Sequence, residues 1–202
     1  MPRIESHTST RNGAAYLTVD VHEVQETIDL LRTTLTKEKF NSLMGRTFGE
    51  TERKAKTLIK REVVKDYAVT QAWVAKHILR GSVSVGANVQ CVIPISGARG
   101  IIGPRFKTKS WKKGKPISAK ILKGASSILP SKMDHQGGNP PFMVNGTAYT
   151  RKTSESKPLV RVAGLGVPQM PLNRSADRVA EQLVKYMGTR LDHNFNYMFG
   201  GR

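Results

Sequence analysis

Apolar positions along the chain follow two periods. Val21, Val24, Ile28, Leu31 and Leu35 recur at helical spacing. Asp20 stands ready as an N-cap with Glu23 three residues on, which predicts a helix over residues 21–35. Just before it, residues 16–21 (YLTVDV) alternate as a short strand would, and residues 1–15 read as a polar arm. Thr36 caps a second helix, whose stripe runs from Phe40, Leu43, Met44 and Thr47 through Ala55, Leu58 and Ile59 to Val63. Gly45 and Gly49 interrupt it at about 1 kcal/mol each against Ala, and their spacing invites a neighbouring backbone to come close. Over residues 50–66 (ETERKAKTLIKREVVKD) the other face is densely charged. Thr70 opens a third, short helix with Trp73, Val74, His77 and Ile78 on its inner face; His77 is expected as a packed core histidine. Gly81 is placed to end that helix.

After Gly81 the period becomes two. Residues 82–85 and 88–95 (NVQCVIPI) predict a hairpin turning at residues 86–88. Cys91 falls inside the second strand as a buried, inert thiol, and Pro94 marks a strand end or a sheet edge. Residues 96–140, rich in Gly, Ser, Lys and Pro, form a long excursion. Loops of that length are functional or disordered, and Ile117, Ala119 and Ile121 alternate as in an excursion of two strands with a mobile tip. Asn145-Gly146 is a hairpin signal between residues 142–144 and 147–151, and residues 158–163 (PLVRVA) read as a further strand. Gly164, Gly166, Pro168 and Pro171 punctuate a loop. Asn173 or Ser175 then caps a last helix striped by Ala176, Val179, Leu183, Met187 and Leu191, followed by an aromatic tail, NFNYMFGGR, suited to docking. The fold class is α+β: long amphipathic helices packed on a small, mainly antiparallel sheet, with a basic loop or hairpin excursion. The expected division is an N-terminal arm and helix over 1–35 and a single domain over 36–202.

Charge adds what periodicity does not show. The 202 residues carry a net charge of +18, and 38% are hydrophobic, enough for a core. Residues 67–133 hold 12 basic side chains and no acidic one, whereas residues 1–66 hold 12 basic and 10 acidic. Such a field needs solvent or an anionic neighbour, and nucleic acid is the usual one for a basic chain. Within it Arg99, Arg105, Lys107, Lys109, Lys112, Lys113, Lys115, Lys120 and Lys123 interleave with Phe106 and Trp111. Lysines act on phosphate as point charges, so this pattern predicts non-specific, salt-sensitive contact with a DNA backbone.

Other chemistry finds little footing. Asp20, His22 and Glu23 read as capping residues, while Asp134-His135 and Asp192-His193 have no placed partner. Five histidines and one cysteine offer neither metal-ligand spacing nor a nucleophile with its base, so no enzymatic activity and no cofactor are expected. Gly97-Ala98-Arg99-Gly100 has the form of a GXXG backbone-gripping loop but follows a strand, and Gly164-x-Gly166 lacks a third glycine, so both read as turns. No apolar run approaches the length of a membrane span. The N-terminus lacks a signal-peptide apolar region, so cytoplasmic synthesis is expected.

Over residues 40–195 the order of features resembles the minor tail protein Z family of tailed phages, and more distantly other tail-completion, or head–tail joining, proteins. The resemblance rests on the basic helix and its short successor, TERKAKTLIKREVVKDYAVTQAWVAKHI (51–78), and the strands from Ser82. It continues through PFMVNGTAYTRK (141–152) and ends with PLVRVAGLGVPQMP (158–171) before a C-terminal helix. Residues 124–141 and the first 35 residues look like additions. The resemblance implies a structural virion protein at the head-proximal end of the tail. Such a protein assembles as a homohexameric ring that caps the tail tube or meets a tail terminator protein. It joins the neck or portal connector, with packaged double-stranded DNA passing through. The lysine-rich excursion would then face that channel. The rival expectation is a cytoplasmic, non-specific nucleic-acid-binding protein; a small enzyme acting on nucleic acid has no supporting site.

Overall fold

The computed structural model describes residues 4–9, 14–20, 22–85, 89–108, 117–124, 141–151 and 158–200. Helix α2 (Lys37–Asp66) is the spine, 30 residues long, or about 45 Å at 1.5 Å per residue. Helix α4 (Ala176–Phe199) lies along it, and α1 (His22–Thr34) packs against both. The predicted stripe is the buried stripe: Phe40, Leu43, Met44, Ala55, Leu58, Ile59 and Val63 of α2 meet Val179, Leu183, Met187 and Leu191 of α4. Gly45 and Gly49 differ from expectation. Among the described residues nothing lies within 4 Å of a Cβ placed on either, so neither seats a neighbouring backbone there.

An antiparallel sheet backs the helices, with strands β1 (Ile4–Ser9), β2 (Ala14–Asp20), β3 (Ser82–Val85) and β4 (Val89–Ile95) in the order β1-β2-β4-β3. Residues 4–9 are therefore a paired strand, although their polar sequence reads as an arm. Ladder hydrogen bonds are made by the backbone, so a polar segment can join an edge. The division at residue 35 is no break in the core either, because β2 pairs with β4 and Val24 and Ile28 are buried in the main cluster. Pro94 does stand near a strand end, but β4 is an inner strand. Cys91 is 1% exposed, and burial pushes its thiol up to about 12, which removes it as a nucleophile.

Helix α3 (Gln71–Ala75) begins as predicted, with the Thr70 hydroxyl accepting from the Trp73 N–H at 3.3 Å. It stops early, at Ala75, so Gly81 is not its cap. Instead the Gly81 N–H donates to Glu52 Oε1 at 3.2 Å, and a Cβ there would sit 3.0 Å from the Val92 carbonyl oxygen. A side chain would fit only tightly where the chain passes between α2 and β4. His77 is half-buried rather than core, meeting the Trp73 ring edge-on at 5.6 Å.

The excursion is anchored in the core. Strand β5 (Arg99–Ile101) pairs with β11 (Ala163–Gly166), and β6 (Lys107–Thr108) pairs with β7 (Ala119–Lys120). Ile117, Ala119 and Ile121 are all buried, as their alternation predicts. Strands β8 (Phe142–Val144), β9 (Thr147–Arg151) and β10 (Leu159–Arg161) form a separate sheet. Asn145 and Gly146, with φ 46° and 74°, make the tight turn between β8 and β9. Gly164 and Gly166, read from sequence as loop residues, lie in β11; a Cβ on Gly164 would approach the Phe106 ring to 2.8 Å. A π-helical turn (Pro171–Ser175) leads into α4, which takes in most of the predicted tail. The tail docks on the first half of α2: Arg46 sits 4.4 Å over the Tyr197 ring and Lys39 5.7 Å over that of Phe199.

Carboxylates on α2 clamp α4. Glu50 accepts from Arg190 Nε at 2.5 Å, while Arg178 bridges Glu62 and Asp66. Glu62 is 0% exposed, and burial alone would raise its pKa. The hydrogen bond and charge of Lys65, with Gln182 and Arg178, outweigh burial and hold it below its ordinary value of 4.5. The Arg190 hydrogen bond lowers Glu50 likewise. A depressed folded-state pKa contributes stability above the ordinary value and loses it as pH falls through the folded one. Thermal melts are accordingly expected to drop below about pH 4.5, with Glu62→Gln flattening part of that drop. An acid limb identical in the variant would refute the assignment.

Candidate nucleic-acid interface

Alternation decides which way the basic residues of the excursion point. In β6 and its flank, Phe106 is fully buried and Lys107 exposed; in β7 and its flank, Ala119 and Ile121 are buried and Lys120 exposed. Register then sets Lys107 directly opposite Lys120. Side chains directly opposite on an antiparallel pair share one face with Cβ atoms about 5 Å apart, and like charges there are unfavourable. The register thus puts both lysines on one exposed face of the ribbon, where an anion would meet two positive charges.

A third lysine joins them through the exit of α2. The Lys123 N–H donates to the Asp66 carbonyl at 2.8 Å, and the Ala68 N–H donates to the Ile121 carbonyl at 2.8 Å. These bonds strap the base of the excursion across residues 67–70. The result is an open groove of about 520 Å³ lined by Ala68, Val69, Thr70, Lys107, Lys120 and Lys123, with no acidic side chain in its lining among the described residues. Asp66, the nearest acid along the chain, is engaged by Arg178 on α4. Three uncharged residues and three lysines make up this lining. That arrangement suits a phosphate backbone, which asks for charge without base-reading geometry.

Of the nine predicted cations, Lys107, Lys120 and Lys123 converge on this groove. Arg105 is exposed and lies 5.8 Å over the Trp73 ring, in the helix that Thr70 caps. Arg99 belongs elsewhere: it is exposed on β5 opposite Gly166. Lys109, Lys112, Lys113 and Lys115, with Trp111, lie outside the described residues. Residues 68–70 were not legible as part of a site, since Ala-Val-Thr carries no charge and serves the helix junction.

Among the described residues no group of three or more His, Cys, Asp or Glu side chains is placed to hold a metal ion. No described helix is long and apolar enough to cross a membrane. No protein-family model, curated protein or solved structure matches the chain.

Proposed function

We propose that this chain is a structural virion protein at the head-proximal end of a phage tail, a tail-completion or neck component that joins head to tail. In this reading it forms a homohexameric ring around the DNA channel and performs no catalysis. Its partners are further copies of itself, the tail tube or tail terminator protein, the neck or portal connector and packaged duplex DNA. The observation that carries the reading is the groove lined by Lys107, Lys120 and Lys123, three cations that suit a polyanion. The order of features over residues 40–195 supports it. So does the sheet, whose outer strands β1 and β3 each keep one side without a strand partner among the described residues. Two different open edges suit the head-to-tail contacts that close a ring.

The groove serves equally the rival, a cytoplasmic protein that binds nucleic acid non-specifically, and assembly separates the two. Size-exclusion with light scattering, alone and with the tail-tube protein, is expected to give a ring, or a monomer that becomes one on the tube. A monomer or dimer that binds DNA tightly at low salt and ignores the tube would overturn the virion reading. So would a map of the particle with these lysines on its outer wall.

A further inference from the structure

The second half of α2 carries more cations than its acids can neutralise. Residues 50–66 hold six basic and four acidic side chains. All four acids are already engaged. Glu50 pairs with Arg190 and Arg46, Glu52 with Lys56 and Arg80, Glu62 with Arg61, Lys65 and Arg178, and Asp66 with Arg178. Among the described residues no carboxylate lies within 4.0 Å of Arg53, Lys54 or Lys60 on α2, or of Lys185 on α4.

Lys54 and Lys185 meet Arg61 around one groove. It runs between α2 and α4, has a volume of about 270 Å³, and is completed by Leu58, Tyr186, Thr189 and Gln182. Positions 54, 58 and 61 share a helix face, which brings Lys54 and Arg61 to the same side. Three features order the groove. The Lys54 ammonium sits 5.1 Å over the Tyr186 ring. Arg61 donates from Nε to Glu62 at 3.3 Å and from Nη2 to the Gln182 amide oxygen. The Thr189 hydroxyl donates to the Lys185 carbonyl. Arg61 is therefore held by two of its five N–H groups, leaving the others to bind without further ordering.

We infer that this α2–α4 groove is a second phosphate-contact site, taking the backbone of double-stranded DNA at Lys54, Arg61 and Lys185. An acidic protein partner fits less well. A net charge of +18, with three cations among the seven described residues lining the groove, suits a continuous polyanion, and Leu58 and Tyr186 are the groove's large apolar members. The inference does not rest on the placement of Lys107, Lys120 and Lys123 in a channel.

The test is binding of full-length protein to a random-sequence duplex, followed by fluorescence anisotropy over a range of salt. Lys54→Gln with Lys185→Gln is expected to weaken binding roughly 10- to 100-fold near 0.1 M salt and to flatten the log–log salt slope by about 2. The same shift is expected when the double change is made on a background of Lys107, Lys120 and Lys123 changed to Gln, so failure at either groove can be told apart. Lys37→Gln with Lys76→Gln is the control for net charge. An equal loss in the control would overturn the site, as would unchanged DNA binding. Loss of polyglutamate binding with DNA binding intact would overturn it in favour of an acidic protein.

Discussion

Phe106→Ala is expected to destabilise the protein by about 3–5 kcal/mol. The Phe106 ring is fully buried where three parts of the chain meet. Trp73 of α3 stands edge-on to it at 6.0 Å. Cβ atoms placed on Gly100 of β5 and Gly164 of β11 would each approach it to 2.8 Å. Each of the two strands thus has a glycine where the ring fills the space. Truncation leaves a cavity that those glycines cannot collapse into, since they have no side chains to move. For a chain of this size such a loss lowers Tm by roughly 6–20 °C. Denaturant unfolding of the variant checks the figure. A loss below about 1 kcal/mol would mean the site relaxes freely and the ring is not the keystone described here.

Changing Lys107, Lys120 and Lys123 together to Gln should move affinity and stability in opposite directions. Each phosphate contact contributes about 0.9 to the salt slope, so losing three flattens it by about 2.7 and weakens duplex binding by roughly 10²–10³-fold near 0.1 M salt. The fold should hold or gain slightly, by about 0.2–1 kcal/mol, because the Lys107–Lys120 pair no longer opposes like charge across the strands. A merely solvated basic surface would show little of the binding effect. DNA binding that keeps its full slope in the triple variant would remove this groove from the interface. A triple variant that unfolds would show instead that the lysine stems are structural.

Local signals carried much of the architecture. The stripe from Phe40 to Val63, the Thr70 cap, the Asn145-Gly146 turn and the strand around Cys91 each depend on residues a few positions apart, and all are found. The candidate site was legible as composition and illegible as geometry. Nine cations stand out in the chain, yet their number does not reveal that Lys107 faces Lys120 while Arg99 sits on another sheet. That depends on register across the intervening residues, and a shift of one position would turn each lysine to the other face. The N-terminal segment shows the converse: residues 4–9 look like an arm because strand pairing is a property of the backbone, which side-chain polarity conceals.

The chain alone, then, settled the α+β class, the helical spine with its apolar stripe and the acid-free basic middle, since periodicity and charge are local sums over neighbouring residues. Tertiary structure alone decided which charges were left over. Arg178 reaches Glu62 and Arg190 reaches Glu50 across more than a hundred residues of sequence. Once those acids are taken, the lysines of both grooves face outward without them. Neutralisation falls off over about 10 Å at moderate salt, so it is governed by distance in space, which sequence separation does not measure.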